Sequence, residues 1–333
     1  MKVSNQAIHI LTVLTVAGFA GSLFASPHHA PPPRRATPTV KKAPVVKPTA
    51  NLSTSAVNPS RPDNASNRSI RTSTDRAAWR LQDKSVSAGA TSAKAPVEPA
   101  ARMVPTVYSD YTYINSNDTR SGAADGDTHS VSVGADVMTA SEILLGFSYS
   151  YSDTDLIGRD YSTGNDSHFF SLYAAKSFAP WLSAGVTTGY GTTSTDTTIN
   201  KGFVGAGNSS ASADTWSASP FVTVNWANGP LFVSTTTGYQ YTDYEAAGQH
   251  AVTVEGNVGY AVTDKLTVIA VARYFQELEN EVDTGDDANW LTLGGRLGYA
   301  VTEAAQAFAG YEYDLLNDSY DNWTLRGGLS VSF

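Results

Sequence analysis

After residue 102 this sequence of 333 residues has only three histidines, His129, His168 and His250. A hydrolytic site acting on lipid needs a serine and a histidine on one strand face, two residues apart, with a polar partner that orients the imidazole. The three histidines stand in HSV, HFF and HAV, so none offers a His-x-Ser pair. They read as solvated or interface-level residues opening three strands, and no catalytic, cofactor-binding or metal-ligating set is expected. The acidic run ELENEVDTGDD, residues 277–287, is rich in carboxylates but lacks the spacing of a defined calcium loop. A non-enzymatic protein is the expectation.

A second group of charged residues has a clearer geometry. Arg273, Arg296, Arg326, Glu255 and Glu312 all fall on the polar side of segments in which apolar and polar residues alternate. If the last two hairpins are symmetric about their loops, Arg296 and Arg326 face each other across Gly310, with Glu312 diagonally adjacent. Such a cluster braces neighbouring strands, because buried charges persist where they are paired and hydrogen-bonded.

The segments that must carry these residues have period two, the mark of a strand whose faces meet different surroundings. Val131, Val133, Ala135 and Val137 form one apolar face, and Ile143, Leu145, Phe147, Tyr149 and Tyr151 the next. The pattern continues through Leu266, Val268, Ala270, Ala272 and Tyr274, and ends on Leu325, Leu329, Val331 and Phe333. Less regular stretches near 104–114, 168–178 and 216–226 bring the count to about twelve strands. Tyr and Trp gather at strand ends while Val, Leu and Ala fill the middles, as in the girdles at the two faces of a bilayer. Long acidic loops, such as 152–166 and 194–214, alternate with short turns such as 138–142 and 263–265. The fold class expected is all-β: a closed antiparallel transmembrane β-barrel over 103–333, since only closure pairs every backbone group in lipid.

The first 102 residues are different. Residues 1–25 have the layout of a signal peptide, with Lys2 ahead of an apolar run. Residues 26–102, rich in Pro, Ala, Ser, Thr and basic residues, read as a disordered linker, with at most two helical turns over residues 73–84. Gly89 and two prolines in SAGATSAKAPVEPAAR, residues 87–102, speak against a helix running into the barrel. Charge divides at the same place: residues 1–102 hold 14 Lys+Arg against 4 Asp+Glu, net +10, and residues 103–333 hold 8 against 27, net −19. The absence of Cys excludes a disulfide framework and a lipid-modified cysteine after the signal.

The ending RGGLSVSF resembles the C-terminal β-signal read by the barrel-assembly machinery: polar Arg326, then Gly328, apolar Val331 and terminal Phe333. Residues 103–333, most closely LTLGGRLGYAV and FAGYEYDLLND, resemble the autotransporter β-domain of type V secretion. The resemblance implies twelve strands, inward-facing glycines and a pore wide enough for one extended chain or one helix. Gly146, Gly185, Gly189, Gly259, Gly294, Gly298, Gly310 and Gly328 all fall on the polar side, leaving room for bulky neighbours or a threaded segment. The resemblance further implies a monomer in the outer membrane of a Gram-negative-type bacterium, surrounded by lipid and lipopolysaccharide. It implies no cofactor and no nucleic acid. Two functions follow from it. One is an anchor or translocator for the N-terminal segment. The other is a small cation-preferring channel whose basic linker stays in the periplasm, against peptidoglycan.

Overall fold

The computed structural model describes residues 65–90, 103–118, 124–158, 160–199, 207–244, 248–280, 289–315 and 320–333. The expected signal peptide and most of the expected linker lie outside the described residues.

Twelve strands run in chain order: β1 Val104–Asp118, β2 Ala124–Met138, β3 Ile143–Gly158, β4 Tyr161–Ala179, β5 Leu182–Ile199 and β6 Gly207–Asn228. They continue as β7 Leu231–Asp243, β8 Gly248–Ala261, β9 Leu266–Asn280, β10 Asn289–Ala300, β11 Ala305–Leu315 and β12 Tyr320–Ser332. Each pairs antiparallel with its neighbours, and β12 closes on β1 from Thr106↔Ser332 to Asp118↔Tyr320, so the sheet is a barrel without an edge. The outer face is the predicted apolar set, with Val133, Leu145, Leu172, Val258, Leu297 and Leu329 exposed, and Ser132, Ser148, Ser150 and Asp136 buried on the inner face. This inversion of the usual burial pattern is what lipid outside and a polar lumen inside require.

The strands reach further than the period-two pattern shows. Of the expected loop 152–166 only residues 159 and 160 lie between β3 and β4, and residues 194–199 and 207–214 of the expected loop 194–214 are strand. Beyond the apolar band both faces carry polar residues. The Ser- and Thr-rich extensions therefore pair without apolar contrast, held by rungs such as Thr163 Oγ1 to Thr197 Oγ1 at 3.1 Å.

The inward glycines have bulky neighbours. Tyr108 pairs with Gly134, Tyr173 with Gly146, Phe221 with Gly185 and Phe232 with Gly259, and a Cβ built on any of these glycines would run into the facing ring. The rings lie flat on the wall because the glycines opposite leave that space. Gly259→Val should accordingly cost about 1–3 kcal/mol through overpacking, read as a lower temperature for the heat-dependent gel shift of the barrel. Adding Phe232→Ala should recover most of that loss, and additive costs would contradict this packing.

Inside the barrel lies one helix, α1, Ala65–Ala90. This corrects the expected disordered linker: the two turns foreseen at 73–84 belong to a helix of 26 residues, about 39 Å long at 1.5 Å per residue. The helix includes Gly89 and ends at Ala90, and the two prolines expected to interrupt a helix lie outside the described residues. A polar helix of this composition has little to hold it alone, and the wall around it supplies what the sequence lacks. Ser66, Ser69, Ile70, Ser73, Ala77 and Leu81 follow helical spacing and are all buried, and α1 packs on β3 to β7. Small side chains let the backbone approach the wall, where hydroxyls meet hydroxyls: Ser69 to Ser150 and Ser171 at 3.1 Å, Ser73 to Ser148 at 3.0 Å and Thr74 to Thr187 at 3.0 Å.

Candidate functional site

Two ionic sites fix the helix in the lumen. The first contains the five charges expected to cluster in the lumen: Arg273, Arg296, Arg326, Glu255 and Glu312. Arg296 lies opposite Gly310, and Gly310 opposite Arg326, as hairpin symmetry requires. Glu312 accepts from Arg296 Nη2 at 3.0 Å and Arg273 Nη1 at 3.3 Å, with Arg326 Nη1 at 3.8 Å. Glu255, paired opposite Arg273 in the β8–β9 ladder, accepts from it. To this wall the helix adds two charges that sequence reading assigned to a linker. Arg71 donates to Glu312, while Asp75 stands among three arginines: Arg273 and Arg326 at 3.3 Å and Arg296 at 3.6 Å. Four guanidiniums and three carboxylates thus meet around the lumen axis, nearly neutral as a set, so little uncompensated charge is left buried.

The second site lies nearer the short-turn end and was not foreseen. Asp136 of β2, whose side chain is fully buried, accepts from Arg76 Nε and Arg80 Nε at 3.0 Å each, one to each carboxylate oxygen. Tyr173 Oη donates to it at 3.3 Å, and the Arg76 guanidinium lies 4.7 Å from the centre of the Tyr108 ring. Charge-assisted bonds of this kind are about twice as strong as neutral ones. Below and around them Ala77 and Leu81 pack with Tyr108, Met138, Leu144, Tyr173 and Phe221, and Trp79 packs on Phe232, Ile269 and Val271. Around Ala77, Trp79 and Leu81 the lumen is therefore apolar, with the Arg76–Asp136–Arg80 bonds set into it. The sequence signal available for this site was the four-residue spacing of Arg76 and Arg80 on a possible helix, as it was for Arg71 and Asp75 in the first.

The contacts also give α1 a direction. Asn67 meets Gln240 near the outer end of β7, Ser69 meets Ser150, Ser73 meets Ser148 one step further back along β3, and Arg80 reaches Asp136 near the end of β2. The amino end of the helix is at the long-loop mouth, and its carboxyl end points toward the short turns, where β1 begins.

The three histidines stay outside the lumen. Each sits opposite the second tyrosine of a Tyr-x-Tyr pair: His129 opposite Tyr113, His168 opposite Tyr151 and His250 opposite Tyr241. Tyr111 Oη lies 2.7 Å from His129 Nδ1 and Tyr149 Oη 2.7 Å from His168 Nδ1, and Tyr239 bonds His250 in the same way. In two of the three the second tyrosine donates to an aspartate two residues before the histidine, Tyr113 to Asp127 at 2.5 Å and Tyr151 to Asp166 at 2.6 Å. These repeated units form an amphipathic belt at the loop-side edge of the apolar band, as the sequence expectation of interface-level histidines has it. Of the residues expected to form a β-signal, Arg326 faces the lumen, and Phe333 donates its N–H to Pro105 O at 2.9 Å, seating the end of β12 beside β1.

A translocator domain from Neisseria meningitidis, that of the autotransporter NalP, superposes with a TM-score of 0.57 at 14% identity, covering 78% of this chain and 98% of that one. The β-domain of the Bordetella autotransporter BrkA superposes with a TM-score of 0.54 at 17% identity, covering 71% of this chain and all of that one. This is an outer-membrane barrel with the autotransporter translocator fold. The KdgM porin, solved with disordered oligogalacturonate, is more distant at a TM-score of 0.42 and 11% identity, over 68% of this chain and 99% of that one. No family model matches the sequence, and no curated protein matches it either. At these identities the shared property is the translocator fold: twelve strands around a lumen, here filled by a helix that precedes β1.

Proposed function

We propose that this chain is a non-enzymatic, monomeric outer-membrane anchor and translocator for its own N-terminal segment. The observation that carries the reading is the direction of α1. A chain that enters the lumen at the long-loop mouth and leaves it toward the short turns has its preceding residues on the loop side. In barrels of this type the loop side is the cell exterior. The basic residues before α1 are then delivered outside, where the phosphates of lipopolysaccharide offer a matching surface. Arg326, Gly328, Val331 and Phe333 serve as the assembly signal for the barrel-assembly machinery. The solved translocator domains support the reading through their fold.

The competing channel reading keeps the N-terminal segment in the periplasm against peptidoglycan. An epitope inserted near residue 40 separates the two in intact cells treated with protease. Cleavage is the expected result, and full protection of the epitope, with cleavage restored only after the outer membrane is opened, would overturn export.

A further inference from the structure

Two cavities lie beside α1 and share walls on β9, β10, β11, β12 and β1, the first extending around the helix to β2, β3, β6, β7 and β8. One, of about 90 Å³, lies toward the loop mouth and is lined by Arg71, Glu255, Arg273, Trp290 and Glu312 among others. The larger, of about 240 Å³, lies toward the short turns and is lined by Trp79, Tyr108, Asp110, Arg296 and Phe308 among others. Three residues line both: Thr72, Asp75 and Arg326. They are bonded to one another, because Arg326 Nη1 donates to Asp75 Oδ2 at 3.3 Å and Nη2 donates to Thr72 Oγ1 at 3.4 Å. One guanidinium and two helix side chains therefore form the partition between the two spaces, each large enough for water.

We propose that α1 leaves an ion path alongside it, that the Asp75–Arg326 pair is its gate, and that the path prefers small anions once the gate is open. The charges around the partition decide the sign. Arg71, Arg273, Arg296 and Arg326 stand against Asp75, Glu255 and Glu312, with Asp110 close by in the larger cavity. With Asp75 ionised the set balances. Without its charge the arginines are in excess at the narrowest point, in a low-dielectric wall where each charge acts strongly on a passing ion. A donor is also available there: Arg296 Nε is buried without a hydrogen-bond partner in the structure, and Arg296 lines the larger cavity.

The test uses the full mature chain in planar bilayers of potassium chloride, comparing Asp75→Asn, Arg326→Gln and a chain lacking residues 26–90. Both point variants break the same pair and should raise single-channel conductance severalfold over the parent, while remaining well below the helix-deleted chain. Their selectivities should differ, with chloride preferred in Asp75→Asn and a shift toward potassium in Arg326→Gln. Asp75 is on the helix and outside the strands, so its variant tests the gate even where Arg326→Gln assembles poorly. An unchanged conductance in Asp75→Asn overturns the proposal. So does a conductance equal to that of the helix-deleted chain, which means that the helix has left the lumen. The proposal concerns conduction past a seated helix and stands apart from export, which the protease experiment decides.

Discussion

Replacing Asp136 by Ala should raise the ratio of unplugged to plugged time by roughly 10²-fold to several 10³-fold. The wild-type carboxylate takes one bond from each of Arg76 and Arg80, whose side chains are only 11% and 13% accessible. Removing it leaves two guanidiniums in the lumen without their counter-charge, and breaking a buried pair from one side costs about 3–5 kcal/mol. That cost falls on the plugged state alone, because arginines on a withdrawn helix are solvated. The whole penalty thus enters the equilibrium between seated and withdrawn helix, at tenfold for each ~1.4 kcal/mol. Single-channel recording measures it directly, with the chain lacking residues 26–90 defining the open level. Asp136→Glu should restore most of the closed time, since the charge is kept. An open fraction equal to that of the parent would show that the apolar collar around Ala77 and Leu81 holds the helix without the ion pairs.

Deleting Phe333 should reduce the yield of folded, membrane-inserted barrel by about tenfold or more, the factor expected when a ring worth roughly 1.5–3 kcal/mol of burial in lipid is lost. The residue sits where the barrel closes. Its N–H bonds Pro105 O, the β12–β1 ladder begins next to it, and its ring points outward with 72% of its surface exposed to the lipid side. A deletion in the β9–β10 connection, such as that of Thr284, should leave the yield unchanged because nothing there closes the sheet. Separation of folded from unfolded barrel on unheated gels gives the comparison. Equal yields for the two deletions would remove the special role assigned to the end of β12.

The parts of the fold legible in the sequence are those where two solvents differ. Val131 and Val133 face lipid and Ser130 and Ser132 face the lumen, so period two is written into the residues. The cluster of Arg273, Arg296, Arg326, Glu255 and Glu312 was legible for the same reason, with hairpin symmetry supplying the register around Gly310. Where the contrast disappears, so does the signal. Above the apolar band Thr195 and Thr197 of β5 and Ser210 and Ser212 of β6 lie on strands whose two faces are both polar, and the sequence reads as loop. In β9 both faces are apolar, because Ile269 and Val271 face inward against Trp79. The helix was hidden by its surroundings: serines, threonines and arginines suit a polar lumen as well as they suit water. Only Asp136, Glu312 and the wall hydroxyls, distant in the chain, distinguish the two. The correction at 65–90 is thus a case of tertiary partners making a helix that local propensity alone does not specify.

The strand lengths have a consequence for the mouth. β4, β5 and β6 run for 19, 18 and 22 residues, while β10, β11 and β12 run for 12, 11 and 13. A surplus of about seven residues, at about 3.3 Å each and a tilt near 40°, lifts one side of the rim by roughly 20 Å over the other. The helix leans on the tall side, and the larger cavity lies along the low one. The sheet is therefore bevelled like a quill, its wall standing higher behind the helix than across the lumen from it.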